Sequence, residues 1–384
     1  MRTDRYRRHD QIDWFSQDQV QAARIVVVGA GAIGNEVVKN LALLGVGAVD
    51  VYDFDDVEVH NLTRSVFLRE SDIGTSKATA VVRRASDLDR NVRLRAIEGD
   101  FWDNLSVWRL GQYDCAIGAV DNFEARVRLN QMCLIAGTNF VNAGIDSRHA
   151  VVESFPFGDC WGRACYECHL PESAYARMAE RYSCGGLRRR AHASRQVPTT
   201  AITASIAGAL AASTALRFGA ADGTQRTARR VMMDTISGTS SAVELGRTDG
   251  CPACDGLREQ PAVVRTRNRW SLAPEMAQLD TAAFRQVLRL SDPIVTGYEC
   301  AACGPLPDAP IYVDHRAADF DDSIATCPQC ATQSVRIEVR QRFELGELVE
   351  RFGARPVPAK FALADIDGRT VCFDFEEDRP WRAK

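Results

Sequence analysis

Between Val51 and Arg64 the chain reads VYDFDDVEVHNLTR, and its polar residues allow two chemistries. An apolar strand that stops on Asp53, about 20 residues after the last glycine of GAGAIG, is how a dinucleotide fold holds a ribose. Gly29, Gly31 and Gly34 of that loop would let the backbone approach a phosphate at a helix N-terminus, where unpaired N–H groups and the helix dipole favour negative charge. Asn61, Arg64 and Lys77 add an amide and two cations, more positive charge than a nicotinamide's diphosphate bridge needs. They suit a triphosphate. Asp121, in AVDN at the expected end of another strand, lies where open α/β sheets bind ligands. A carboxylate facing a triphosphate there suits magnesium, which takes one or two carboxylates plus phosphate oxygens. Plainer readings exist: a tight strand-to-helix turn for the glycines, solvated surface charge for Arg64 and Lys77, a helix N-cap for Asp121. An NAD-dependent oxidoreductase would use the glycines and Asp53 and leave Arg64, Lys77 and Asp121 without roles.

Of the 13 cysteines, eight form four Cys-x-x-Cys pairs: Cys165/Cys168, Cys251/Cys254, Cys300/Cys303 and Cys327/Cys330. Paired thiolates at that spacing in a reducing compartment point to Zn2+ rather than to disulfides. The first two pairs can complete one closed tetrahedral site and the last two another, both structural because four thiolates leave no open position. Cys184 stands apart, in RYSCGGLRRR, where flanking glycines suggest access and Arg181, Arg188, Arg189 and Arg190 would favour the thiolate. Such a thiolate could take an acyl group as a thioester or work through acyl persulfide chemistry, and an incidental loop cysteine is the alternative. Cys115 and Cys133 read as small buried residues, Cys160 as loop or core, and His169 and His192 as structural.

These residues need a scaffold that brings strand ends together. ARIVVVGAGAIGNEVVKNLALLGVGAVDVYDFD reads as buried strand, glycine turn, helix and buried strand. KATAVVRRASDLD reads as a helix, VRLRAIEGD and YDCAIGAVDN as strands, FEARVRLNQMCLIAG as a helix and NFVNAGI as a strand. That alternation predicts a Rossmann-like, doubly wound, mostly parallel sheet with helices on both faces. The Ala-rich VPTTAITASIAGALAASTALRFG predicts a helix buried on most sides. Residues 255–270 are polar and irregular, which places a boundary between a nucleotide domain at 1–256 and an extension at 257–384. That extension predicts a zinc ribbon followed by a short helix (FELGELVERFG) and two strands around DIDG, a small α+β module.

Composition narrows the partners. A hydrophobic share of 46% supports folded cores, and a net charge of -4 shows no bias toward nucleic acid or an anionic membrane. No apolar run reaches the roughly 18–20 residues a membrane span needs, and the first residues lack a secretory core. The expectation is a cytoplasmic protein.

RYRRHDQI, the glycine-loop run through VEVHNLTRSVF, IGTSKA and AVDN together resemble the ubiquitin-activating-enzyme superfamily in its short ThiF/MoeB-like form, over roughly Arg5 to Gly256. The resemblance implies that Asp53 holds the ATP ribose, that Asn61, Arg64 and Lys77 contact phosphates and that Asp121 holds Mg2+. It also implies that Arg8 crosses a homodimer interface to reach the partner's ATP, and it supports Cys184 as the transfer residue. The expected activity is adenylation of the C-terminal carboxylate of a ubiquitin-like protein with a glycine-type C-terminus. The acyl group would then pass to a conjugating enzyme or toward a sulfur donor; adenylation of a short peptide is the related alternative. Short relatives end near the second knuckle, so the C-terminal extension departs from that pattern.

Overall fold

A computed structural model describes residues 5–158, 161–179, 198–218, 226–257, 259–267, 286–306, 313–319, 326–332, 335–353 and 355–376. It divides into two compact units, one of residues 1–169 and 197–260, the other of residues 170–196 and 261–384.

In the first unit eight strands form one sheet: β1 (Arg24–Val28), β2 (Ala48–Asp53), β3 (Arg93–Glu98), β4 (Cys115–Gly118), β5 (Asn139–Ile145), β6 (His149–Phe155), β7 (Arg229–Asp234) and β8 (Ser240–Glu244), in the order β3-β2-β1-β4-β5-β6-β7-β8. The first five are parallel, and β6 to β8 extend the sheet antiparallel beyond β5. The parallel half was legible as apolar runs, and its order 3-2-1-4-5 puts the change of direction between β1 and β4. Ligands of open α/β sheets bind outside such a point.

Alternation along the strands sorts the core. Ile25, Val27, Val49, Val51, Ile117 and Val141 join a cluster with α1 (Ala32–Leu44), α2 (Lys77–Ala85) and the Ala-rich α4 (Ala201–Arg217). The intervening residues meet α3 (Phe123–Ala136) on the other face: a Cβ on Gly118 would lie 3.2 Å from Leu129 and 3.1 Å from Phe140. Helices therefore cover both faces, as the strand–helix alternation predicts. Small residues let α4 approach α1 closely. A Cβ on Gly208 would come 2.4 Å from that of Glu36, and Ser205 donates to Glu36 at 2.9 Å.

The N-terminal RYRR segment is fastened to its own chain. Tyr6 is buried and its hydroxyl donates to Asp89, to which Arg5 pairs at 2.8 Å. The Tyr6 ring occupies the space a side chain at Gly45 would need; Gly45 ends α1 in a left-handed conformation (φ 76°).

The second unit holds a six-stranded sheet built from β9 (Ala262–Arg267), β10 (Val287–Cys300), β11 (Gly304–Pro305), β12 (Val335–Glu344), β13 (Phe361–Ile366) and β14 (Arg369–Glu376). Its order is β11-β10-β13-β14-β9, with β12 also on β10. α5 (Leu345–Phe352) buries Leu345, Leu348 and Phe352 with Leu288, Ile294 and Phe373. The helix and the β13–β14 hairpin follow the sequence pattern. One expectation is corrected: within residues 255–270, read as irregular, Ala262–Arg267 is a strand pairing in parallel with β14. Its charged residues alternate with Val264 and Thr266, so one face is apolar enough to pack while the composition stays polar.

Candidate nucleotide site and zinc centres

The glycine loop is shaped from three sides. Gly29 adopts φ 101°, open in practice only to glycine, and a Cβ there would fall 2.5 Å from the Ala119 carbonyl oxygen beyond β4. A Cβ on Gly34 would lie 1.9 Å from the Gly29 carbonyl oxygen, whereas one on Gly31 would meet nothing within 4 Å. Two of the three glycines thus serve close packing, and Gly31 faces open space. Gly31 is also the N-cap of α1 and supplies no side-chain cap, so first-turn N–H groups keep their capacity for an anion.

Asp53 closes the loop from β2. Its Oδ2 accepts from the Ala30 N–H at 2.6 Å and its Oδ1 from the Asp55 N–H at 2.8 Å. Burial raises the Asp53 carboxyl above the usual range, against the opposing pull of those two N–H groups and of the Lys77 charge. Lys77, in the first turn of α2, is only 9% exposed and pairs with Asp55 at 2.7 Å. It is therefore a fixed cation and not a solvated one.

A loop from Asp55 to Ser76 carries the remaining phosphate candidates. Asn61 is buried, and its Oδ1 accepts from the Glu58 N–H at 2.9 Å while its Nδ2 has no partner among the described residues. Arg64 is half-buried and donates to the His60 carbonyl at 2.9 Å, with no carboxylate paired to it among the described residues. Asp72 anchors the loop; it is wholly buried and accepts from Arg84 and Arg83. Burial alone would raise its carboxyl, but the Arg84 hydrogen bonds, the Arg69 N–H and both cations hold it below the usual range.

Asp121 lies beyond β4 and is exposed. The N-cap of α3 is Asn122, whose side chain accepts from the Ala125 N–H at 2.8 Å, so Asp121 is not the cap. Arg8 is exposed at the start of a short 3-10 turn.

Three residues the sequence reading passed over hold this arrangement. Asn35, buried in α1, donates to the Ala30 and Gly31 carbonyls at 2.8 and 2.9 Å and accepts from the Phe67 N–H at 3.0 Å, tying the glycine loop to the Arg64 loop. Asp55 pairs with Lys77, and Arg126 grips the segment before Asp121. A polar residue on the buried stripe of an apolar helix was the available signal for Asn35.

The four thiols of Cys165, Cys168, Cys251 and Cys254 meet within 4.8 Å of one another, and all four residues are buried. Sγ separations of 3.7 Å (Cys165–Cys251), 3.9 Å (Cys165–Cys168) and 3.7 Å (Cys168–Cys254) match the ~3.8 Å edge of a tetrahedron with Zn–S bonds of about 2.3 Å. Cys300, Cys303, Cys327 and Cys330 form a second such group, with separations of 3.7 Å (Cys300–Cys330) and 4.0 Å (Cys303–Cys327). Both donor sets fit Zn2+. In the second group Cys303 is exposed. Glu167, between the first knuckle's cysteines, accepts from Asn130 and Gln131 at 3.2 and 3.0 Å and so joins that knuckle to α3.

Cys115, Cys133 and Cys372 are buried, and burial pushes all three thiols well up, away from nucleophilic use. His169 binds the Gly246 carbonyl at 2.8 Å. Cys160, Cys184, His192, Arg181, Arg188, Arg189 and Arg190 lie outside the described residues. Among the described residues no helix is long and apolar enough to cross a membrane.

Comparison with known proteins follows the same geometry. A sulfur carrier protein adenylyltransferase of Thermus thermophilus is 28% identical over 266 residues, 68% of this chain and 94% of that enzyme. A SAMP-activating enzyme E1 of Haloferax volcanii is 33% identical over 175 residues, 44% of this chain and 63% of that one. For SUMO-activating enzyme subunit 2 of Dictyostelium discoideum the values are 32% over 152 residues, 39% of this chain and 22% of that subunit. The match thus spans nearly all of the first relative and under two thirds of the other two. Among solved structures, E. coli MccB with ATP shares the fold at 24% identity and a TM-score of 0.52, covering 65% of this chain and 73% of that one. The ThiF family model matches residues 5–253, and the chain belongs to the ThiF family.

Proposed function

We propose that the first unit uses ATP to adenylate the C-terminal carboxylate of a ubiquitin-like protein. The observation behind the reading is that the uncapped start of α1 leaves its first N–H groups for an anion, while Asn35 ties the glycine loop to the loop whose Asn61 amide and Arg64 guanidinium are unpartnered by any carboxylate among the described residues. A carboxylate oxygen bonds to the α-phosphorus, the bond to the β-phosphate bridging oxygen breaks, and pyrophosphate departs. Arg64 and Lys77 offset the phosphate charge, which is where such a reaction gains most. Asp53 would hold the ribose, and Asp121 would hold Mg2+, which supplies further charge neutralisation. The names of the relatives, a sulfur carrier protein adenylyltransferase and SAMP- and SUMO-activating enzymes, support a small carrier or modifier protein as substrate, and its C-terminus is taken to be of the glycine type.

In the second half-reaction the Cys184 thiolate attacks the acyl carbon and AMP leaves, giving a thioester; a conjugating enzyme's thiol then bonds the acyl carbon and releases the Cys184 thiolate, or hydrosulfide from a sulfur donor does so and leaves a thiocarboxylate. Arg8 acts across a homodimer on the partner's nucleotide, and residues 1–256 and 257–384 act as separate domains. Adenylation of a short peptide is a second reading, favoured by the MccB fold alone. ATP–pyrophosphate exchange tests the proposal: exchange that needs a ubiquitin-like protein and disappears in Asp121→Ala supports it, and exchange driven only by a peptide moves the reading to peptides. No exchange by zinc-loaded protein with either substrate class rejects it.

A further inference from the structure

We infer that Arg126 is a positioning residue for the nucleotide site, clamping the Ala119–Asp121 segment so that it backs the glycine loop and aims Asp121. What the site does rests on the adenylation reading; the clamp stands on geometry.

Arg126 lies one turn into α3. Its Nη2 donates to the Val120 carbonyl, and its Nη1 donates to the Asn142 Oδ1 and, at 2.8 Å, to the Ala143 carbonyl. One planar fork therefore joins the segment just after β4 to the middle of β5. On its other side the same segment presents the Ala119 carbonyl to Gly29, with no room for a side chain between them. A shift of Ala119–Asp121 moves the back wall of the phosphate loop and the direction of the exposed carboxylate together.

The clamp has its own support. Asn142 donates to Glu153 at 2.7 Å, and Glu153 pairs with Arg230 at 2.7 Å, a row that follows the register Asn142↔Glu153↔Arg230 across β5, β6 and β7. Asn142 and Glu153 are both buried. No carboxylate among the described residues pairs directly with Arg126, and one carboxylate, Glu153, serves Arg230 directly and Arg126 through Asn142. A cation held this way is costly unless its donors are used, and here they are spent on the Val120 and Ala143 carbonyls and the Asn142 amide oxygen. Lysine would keep the charge and lose the fork, because a single ammonium cannot reach acceptors on separated segments.

The test is Arg126→Lys, with Asn142→Ala as a milder variant that removes one acceptor and leaves both carbonyl contacts. Hydrogen exchange across residues 119–122 should accelerate about tenfold or more in Arg126→Lys and less in Asn142→Ala, while β1 amides stay protected. In ATP–pyrophosphate exchange the Mg2+ needed for half-maximal rate should rise about tenfold, excess Mg2+ should restore most of the rate, and KM for the protein substrate should hold within about twofold. Unchanged exchange at 119–122 overturns the clamp, as does acceleration spread equally over β1, which would mark general destabilisation. A wild-type protein without adenylation activity, combined with local loosening in Arg126→Lys, removes the adenylation reading and leaves the clamp standing.

Discussion

Replacing Gly34 and Gly31 by alanine separates the two jobs of the glycine loop. A Cβ at Gly34 would sit 1.9 Å from the Gly29 carbonyl oxygen, about 1.5 Å short of ordinary contact, and both groups are backbone with no side chain to swing aside. Relief requires the loop to move away from α1, which strains the packing of Gly29 on Ala119 and the Ala30 N–H bond to Asp53. Overpacking of this kind costs about 1–3 kcal/mol, and a hydrogen bond to a charged group about 1.5–3 kcal/mol, so the expected loss is about 3–5 kcal/mol. ATP affinity should fall about 100-fold or more, because the loop no longer presents its N–H groups to a phosphate. Gly31→Ala is the counterpart: its Cβ enters open space at φ -73°, so stability should change by less than about 1 kcal/mol. The methyl group would stand where a phosphate approaches, so affinity should still drop about tenfold. Urea unfolding and ATP calorimetry on both variants decide the matter. A Gly34→Ala protein with wild-type midpoint and affinity would refute the argument, and so would a Gly31→Ala protein that loses stability but keeps affinity.

Asp72→Asn should destabilise the first unit by about 2–3 kcal/mol, since it leaves Arg84 without its buried acceptor, and urea denaturation at neutral pH reads the loss. The folded carboxyl of Asp72 lies below its unfolded value of about 3.9, so this contribution is complete above that pH and fades as pH falls through the folded value. The gap between wild type and variant should therefore close under strong acid. The purified protein should carry two equivalents of zinc, and a chelator should take the one at Cys300, Cys303, Cys327 and Cys330 first because Cys303 is exposed; equal release rates in a colorimetric zinc assay would contradict this. Lys77→Ala should reduce ATP–pyrophosphate exchange about 100-fold while leaving Asp55 exposed and the fold intact, and an unchanged rate would remove Lys77 from the site.

The parallel half of the first unit was legible because β1 and β4 are largely buried and read as apolar runs and β2 is apolar but for Asp50 and the terminal Asp53, with α1 and α3 ending at glycines Gly45 and Gly137. The antiparallel extension was not, since β8 is exposed along its whole length and carries no burial pattern. β9 was missed for a related reason: its arginines hide a one-faced strand whose partner, β14, lies a hundred residues further on. At the candidate site, Asp53, Lys77 and the glycines were singled out from residue type and spacing, and the structure sets Asp53 against the glycine loop and Lys77 beside Asp55. Asn35 and Arg126 were not, because a polar residue inside a helix ordinarily reads as a solvent-facing position, and only tertiary contacts show that these two hold backbone.

The bond that breaks in ATP tests the central claim most directly. Wild-type protein is incubated with a panel of glycine-ending ubiquitin-like proteins and ATP labelled at the α-phosphate, and products are resolved after acid quench. The account requires pyrophosphate and AMP, with label first retained as an acid-stable adenylate on one panel member, and none of it in Asp121→Ala. ADP and inorganic phosphate as the products would mean cleavage at the γ-phosphate and would contradict the account.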